Sequence, residues 1–377
     1  MKKSIKFLSF FLSIVFIVGA LGLPAIAAGP PSVSAKSAIL TEAESGRVLY
    51  QKSAHIRLPM ASTTKIMTAI VAIEEYPDLG KEVKIDKRAV GVEGSSVYLY
   101  ENEVMTMEDL LYALLLSSAN DAAVAIACED GGSIDAFAEK MNRKAEALGL
   151  EDTHFTNPNG LHDDNHYTTA YDLAAITAYA LKNPTFKKIV STKKKTVPMQ
   201  NGESVRLLIN HNKLLSLYDG AIGVKTGFTK KSGRCLVSAA ERDGLTLVAV
   251  TLDAPNDWKD HSDMLDFGFD SYERKNFGNA GDISFDVPVI SGEENSVKVR
   301  NSQPLSVFIS KEHPEIKCTV ELPRFVFADV KEGEVIGRIV YTCNGNIVAE
   351  SPLKAEKRVN SIKYKKNFFE WITSLFV

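Results

Sequence analysis

The sequence predicts an α+β protein, on three observations. Between about residues 33 and 272, segments with helical period and segments with strand period are mixed. From about 282 to 359 only short alternating segments occur, separated by turn residues. The change falls after Gly278, so the chain reads as a mixed domain followed by a small all-β domain. The 377 residues leave room for two domains and a sizeable core. A formal charge of −3, with no large basic patch interleaved with aromatics, gives no sign of a nucleic-acid binder.

The elements follow in order. Lys2, Lys3 and Lys6 precede an apolar run from about 7 to 23, and Ala25-Ile26-Ala27 forms a small-x-small cleavage pattern. Residues 1–27 therefore read as a secretory signal peptide, in preference to an uncleaved anchor, and the rest of the chain is expected outside the cytoplasm. Residues 37–52 read as a hairpin: Ile39 and Leu40, a turn at Glu44-Ser45-Gly46, then Val48, Leu49 and Tyr50. The spacing of Ile66, Met67, Ile70, Val71 and Ile73 predicts a helix with Pro59 near its entry. Residues 106–129 read as two apolar helices broken at 117–121. An amphipathic helix over 133–148 is ended by Gly149. Another, over 168–183, opens on a capping-box-like Thr169 and Asp172. Residues 221–254 read as antiparallel strands with turns near 230–233 and 242–244. In the second domain the alternating segments are 283–290, 296–300, 305–310, 316–322 and 335–342.

The tail has Lys363, Lys365 and Lys366 ahead of Phe368, Phe369, Trp371, Ile372, Leu375 and Phe376. One helical face is apolar, yet the stretch is too short to span a bilayer. It reads as a helix lying in the membrane interface, with docking on the protein as the alternative. Export makes disulfides possible. Cys128 and Cys235 sit in apolar runs and read as small buried residues, whereas pairing of Cys318 with Cys343 stays open. The seven histidines are scattered, and no Cys/His cluster has metal-site spacing.

The chemistry-bearing candidates are three short motifs. Ser62 and Lys65 stand three apart at the start of a helix, so both side chains face one side. Alone, this pair reads as a hydroxyl cap on a helix. Ser191 and Lys194 repeat the spacing inside a lysine run expected to be a solvated basic loop. Ser118-Ala119-Asn120 interrupts two helices, and Lys225-Thr226-Gly227 falls on a strand. Each is weak by itself. The three in this order, each on a fitting element, form the set used by serine acyltransferases that pair a nucleophilic serine with a lysine base. A serine hydroxyl needs such a base. A lysine serves as one near neutral pH only if burial or a second cation lowers its pKa, and Lys225 is the candidate cation.

On these motifs the chain resembles the low-molecular-weight penicillin-binding proteins that are serine-type D-alanyl-D-alanine carboxypeptidases (peptidase S11-like). The segments "TEAESGRVLYQK", "LGLEDTHFTNPNGLHD", "TTAYDLA" and "NHNKLL" add to the resemblance, as does the layout. It implies a penicillin-binding/β-lactamase-like transpeptidase fold over 28–275: an antiparallel sheet covered by helices, with a helical subdomain. A β-sandwich over 280–359 and the membrane-associating helix over 360–377 would follow. It implies removal of the terminal D-Ala from peptidoglycan pentapeptide stems, with β-lactams as inhibitors and no metal or organic cofactor. Ser62 would be the nucleophile, Lys65 the base, Ser118 a proton relay and Asn120 a holder of substrate and Lys65. Lys225 and Thr226 would bind the terminal carboxylate. Gly227 would let backbone approach the substrate, and the N–H groups of Ser62 and Phe228 would form the oxyanion hole. The enzyme would sit on the outer face of the cell membrane, with the β domain as spacer or interaction module.

Two departures stand out. Ala119 takes the place of glycine or aspartate in many relatives. The arginine that some relatives carry at the position of His211, or near Trp258 and Lys259, is absent. Carboxylate binding is then expected to rest more on Lys225 and Thr226. The other readings are a class A-type β-lactamase, which needs a glutamate-bearing loop and has only Glu151 in "EDTHFTNPNGLHDD"; a D,D-endopeptidase; and a non-catalytic penicillin-sensing wall protein.

Overall fold

The computed structural model of the chain describes residues 29–199, 204–312 and 315–362. The expected signal peptide and the tail from residue 363 lie outside these residues. Among the described residues no helix is long and apolar enough to cross a membrane.

Strands β1 (Ser37–Glu42) and β2 (Val48–Lys52) form the expected hairpin. A 3-10 turn at Ala61–Thr64 runs directly into α1 (Lys65–Glu75). The short pair β3 (Glu82–Lys84) and β4 (Val104–Thr106) leads to a helical cluster. Its members are α2 (Met107–Leu116), α3 (Asn120–Gly131) and α4 (Ile134–Ala147). Helix α2 starts on the Thr106 hydroxyl, which accepts from the Asp109 N–H, and α4 starts likewise on Ser133. Gly149, with φ +73°, lies just past the end of α4 as expected. Helix α5 (Ala170–Leu181) starts on Thr169, whose hydroxyl accepts from the Asp172 N–H at 3.0 Å. Then come α6 (Pro184–Ser191), the hairpin β5 (Lys194–Pro198) and β6 (Val205–Ile209), and the short α7 (Leu214–Leu217).

The lysine run is thus not a loop. Lys194 and Lys195 open β5, and Lys195 sits over the Tyr112 ring. The strand was hidden because alternation with exposed lysines looks like a charged surface. Ser191 ends α6, its hydroxyl donating to the Lys188 carbonyl.

Strands β7 (Ala221–Thr229), β8 (Gly233–Arg242) and β9 (Leu245–Leu252) meander antiparallel, and α8 (Asp257–Ser271) follows. The sheet order is β2-β1-β9-β8-β7. It is covered on both faces. Ile39, Val248 and Val250 belong to the core shared with the helices α1–α6, while Leu40, Leu247 and Ala249 pack with Met264, Leu265 and Phe269 of α8. Alternate residues therefore enter two cores, which is why these strands read as continuous apolar runs. Cys128 and Cys235 are buried, as expected.

The second domain has β10 (Tyr272–Gly278), β11 (Ser284–Ile290), β12 (Ser296–Asn301), β13 (Leu305–Ser310), β14 (Ile316–Glu321), β15 (Val326–Phe327), β16 (Val335–Cys343) and β17 (Asn346–Ala355). Six of them form a sheet ordered β14-β16-β17-β12-β11-β15, and β10 pairs with β13. Val287, Val297, Val299, Val307, Ile339 and Leu353 share the core. Cys318 and Cys343 are free; Cys318 stands opposite Tyr341 and Cys343 opposite Ile316.

Candidate active site

Ser62 lies in the 3-10 turn, not at a capping position. The residues ahead of the turn and of α1 are Met60 and Thr64, and neither makes a side-chain capping bond. Ala61, just before Ser62, has φ +48°, a left-handed conformation uncommon for a residue with a Cβ. Three contacts hold it there. Gly160 packs against its carbonyl so closely that a Cβ would overlap it. The Thr64 hydroxyl donates to that carbonyl at 2.8 Å. His166 Nε2 lies 2.7 Å from the Thr64 oxygen, while its Nδ1 accepts from the Thr156 N–H at 3.1 Å. The accepting Nδ1 places the ring proton on Nε2, so the imidazole donates to Thr64. Burial holds His166 neutral by lowering its pKa to about 4.

Lys65 opens α1 and is fully buried. Its Nζ lies 3.0 Å from Ser62 Oγ, 2.6 Å from Asn120 Oδ1 and 2.6 Å from the Asn159 carbonyl oxygen. The Asn120 amide is oriented by its other end, since Nδ2 donates to the Glu93 carbonyl at 2.6 Å. Two of the three Nζ partners are pure acceptors. A neutral amine has two N–H groups for them, which leaves its single lone pair for the Ser62 hydroxyl. The Lys65 pKa is lowered well below the ordinary lysine value, by burial first and then by Lys225, with Asp121 opposing. Lys225 on β7 is also buried, which lowers its pKa to about 7; its Nζ donates to the Thr226 carbonyl at 2.9 Å.

Ser62, Ser118, Thr226, Gly227 and Phe228 line one cleft of about 310 Å³, with Lys65, Asn120 and Lys225 buried. Ser118 sits in the break between α2 and α3 with φ +59°. Gly227 brings β7 against the nucleophile's own backbone. A Cβ there would meet Met60 O and Ser62 N, each at 3.1 Å. Its close approach is therefore to the Ser62 turn, a partner that the motif by itself does not reveal. Glu151 is exposed and is not among the lining residues of the cleft.

Sequence reasoning missed several members of the site. Ser95, Arg234 and Asp257 also line the cleft; so do Trp258 and His211, which the sequence marked only as places where relatives carry arginine, and the His211 pKa is lowered by burial and then by Lys225. Asn159, Gly160 and His166 support it from behind. The segment "NPNGLHD" carried a hint of this, and the turn-forming Asn-Gly pair was its physical signal. Arg234 follows the 230–233 turn on a strand, where nothing local marks it.

The D-alanyl-D-alanine carboxypeptidase family matches residues 25–256, and the penicillin-binding protein 5 C-terminal domain family matches residues 272–361. The chain is 33% identical over 351 residues to the D-alanyl-D-alanine carboxypeptidase DacF of Bacillus subtilis, covering 89% of this chain and 90% of the relative. It is 30% identical over 362 residues to DacA of Haemophilus influenzae, covering 91% and 90%. The crystal structure of penicillin-binding protein 5 from Haemophilus influenzae superposes with a TM-score of 0.71 at 29% identity, over 89% of this chain and all of that one. The motifs, their geometry and these matches agree: the chain belongs to the D-alanyl-D-alanine carboxypeptidase family.

Proposed function

We propose that this carboxypeptidase works through an acyl-enzyme on Ser62, with neutral Lys65 as the base. The observation that carries the reading is the position of the Lys65 amine, where two carbonyl acceptors take its N–H groups and leave its lone pair to Ser62 Oγ. As Ser62 attacks the carbonyl of the penultimate D-Ala of a pentapeptide stem, its proton passes to Lys65. Negative charge then develops on the carbonyl oxygen, and the N–H groups of Ser62 and Phe228 receive it. The C–N bond breaks, Ser118 relays a proton to the leaving amine, and terminal D-Ala departs. Water clears the acyl group with Lys65 again accepting a proton. Asn120 keeps Lys65 oriented and holds the stem peptide. Lys225 and Thr226 face the substrate's end, and Gly227 keeps β7 close to Ser62. β-Lactams acylate the same serine. The charged-then-apolar start and the amphipathic tail support export and attachment to the outer face of the membrane, with residues 28–275 as the catalytic unit and 280–359 as the β domain.

The test is D-Ala release from a diacylated peptide ending in D-Ala-D-Ala. Wild-type protein is expected to release D-Ala and Ser62→Ala is expected to release none. Equal release by both would remove Ser62 from the chemistry.

A further inference from the structure

The loop of residues 93–103 joins the cleft to the side chain that aims Lys65. Ser95 lines the cleft, and its carbonyl accepts from the Asn120 N–H at 2.7 Å. The Glu93 carbonyl accepts from Asn120 Nδ2 at 2.6 Å, and Asn120 Oδ1 lies 2.6 Å from Lys65 Nζ. Asn120 is therefore bonded to the loop through both its backbone and its amide. A shift of the loop would turn the amide and draw its Oδ1 away from the amine. The next residue, Asp121, fastens the same loop by accepting from Ser96 Oγ at 2.6 Å and from the Leu99 N–H at 3.1 Å.

Arg206 on β6 holds the loop from a second element. Its Nε donates to the Val97 carbonyl at 2.9 Å and its Nη2 to the Tyr98 carbonyl at 3.2 Å. Nη2 also donates to Glu103 Oε2 at 2.9 Å, while Nη1 pairs with Glu103 Oε1. The Arg206 side chain is 9% exposed and that of Glu103 is fully buried. One planar guanidinium thus grips the loop at three residues, which the point charge of a lysine does not do. Tyr98 has φ +59°, a conformation rare for a bulky side chain, and it is held there by Arg206 on its carbonyl and the Ser96 hydroxyl on its N–H. An ion pair this deeply buried is a poor source of stability, because desolvation offsets its attraction, and its use here is to fix geometry. Strand β6 runs on to His211, which also lines the cleft, so Arg206 ties together two segments that supply cleft residues. Arg206 itself is not among the lining residues.

We propose that Arg206, paired with Glu103, is a positioning residue for acylation. It clasps loop 93–103 to β6 and so keeps the Asn120 amide, and through it the Lys65 amine, aimed at Ser62. It touches no substrate. This rests on Lys65 being the base, and it extends the acylation machinery to a hairpin outside the three motifs.

The test is a double-mutant cycle read by acylation with labelled penicillin, with thermal melts to check folding. Arg206→Met combined with Glu103→Gln removes both charges and leaves neither buried alone. This variant is expected to lower the limiting acylation rate at saturating penicillin by about 10- to 100-fold. The half-saturating concentration is expected to move by less than about twofold, because the cleft residues remain. In an Asn120→Ala background the same pair of changes is expected to cost less than about threefold more, because Arg206 acts through Asn120. Arg206→Lys keeps the charge beside Glu103 and loses the fork, so its rate is expected to fall in between, and it carries the same cycle if the paired variant does not fold. A purely structural role would lower the melting temperature, leave the rate per labelled site at the wild-type value and overturn the assignment. Losses that multiply with those of Asn120→Ala would overturn it too. A slow Asn120→Ala beside a wild-type rate in the Arg206 variants sinks only the role of Arg206. Asn120→Ala at the wild-type rate sinks the aiming of Lys65 by Asn120, and the role of Arg206 with it.

Discussion

The carbonyl oxygen of Ala61 occupies the space where a Cβ of Gly160 would lie. Gly160 has φ +85°, so an alanine there is strained by its backbone as well as by the clash. Ala61 carries the peptide group that leads into Ser62, and its shift would move the Ser62 N–H and hydroxyl together. Gly160→Ala is expected to lower the melting temperature and to slow acylation by labelled penicillin by about 100-fold, the scale of a roughly 1 Å misplacement. An unchanged acylation rate would mean that the Ala61 carbonyl does not set the nucleophile's position.

Asn120→Ala would remove one acceptor from Lys65 and leave a buried N–H without its 2.6 Å partner. An unpaired buried donor costs about 1–3 kcal/mol, and here the lone pair is also free to turn from Ser62. Penicillin acylation is expected to fall by more than tenfold with the fold retained. Acylation at the wild-type rate would mean that Lys65 is aimed without Asn120.

The pH dependence of acylation has a definite sign. Lys65 accepts a proton only when neutral, so the rate falls as pH drops through its pKa. The Lys225 charge holds that pKa down, after burial. Lys225→Gln removes the cation and raises the Lys65 pKa, which moves the acid limb to higher pH. A limb that stays or moves down in the penicillin-acylation profile contradicts the assignment of Lys65 as base. The two lysines interact, so the profile reports the pair.

Two buried histidines make the fold acid-sensitive. Burial lowers His166 to about 4 and His261 to about 3, from an ordinary value of 6.5. Between about pH 4 and 6.5 the unfolded chain holds protons that the folded chain does not. Their contribution is fully present above pH 6.5 and is lost as pH falls through that window, with the His261 part lost down to about pH 3. Each pKa unit corresponds to about 1.4 kcal/mol. Melting temperatures measured from pH 7 to pH 4 are expected to drop, and His166→Gln is expected to flatten the drop. An equally steep drop in the variant would place the acid sensitivity elsewhere.

Much of this architecture was legible because local rules agreed with the fold. The hairpin of β1 and β2, the break at Ser117 to Asp121 and the Thr169 start of α5 were all marked by turn, break or cap chemistry. The strands β5 and β6 were not, because Lys194 and Lys195 resemble a solvated run, while the residues of the hairpin that enter the core, Val197 and Leu208, are one to a strand. In the site, Ser62, Lys65, Ser118, Asn120 and the Lys225-Thr226-Gly227 strand were readable as motifs. Asn159 contributes a backbone carbonyl, which no side-chain motif announces. Arg234 and Asp257 lie on different elements and meet only when β8 and α8 pack together.

The most direct test of the central claim is to trap the acyl-enzyme with penicillin and map it. Cleavage after Arg57 and Lys65 isolates residues 58–65, which carry Ser62. The account predicts that this peptide gains the mass of the opened β-lactam, that fragmentation places it on Ser62, and that Lys65→Arg, which keeps the cleavage site but cannot accept a proton, abolishes it. A label on any other residue, or full labelling without Lys65, would contradict the assignment of Ser62 as nucleophile and Lys65 as its base.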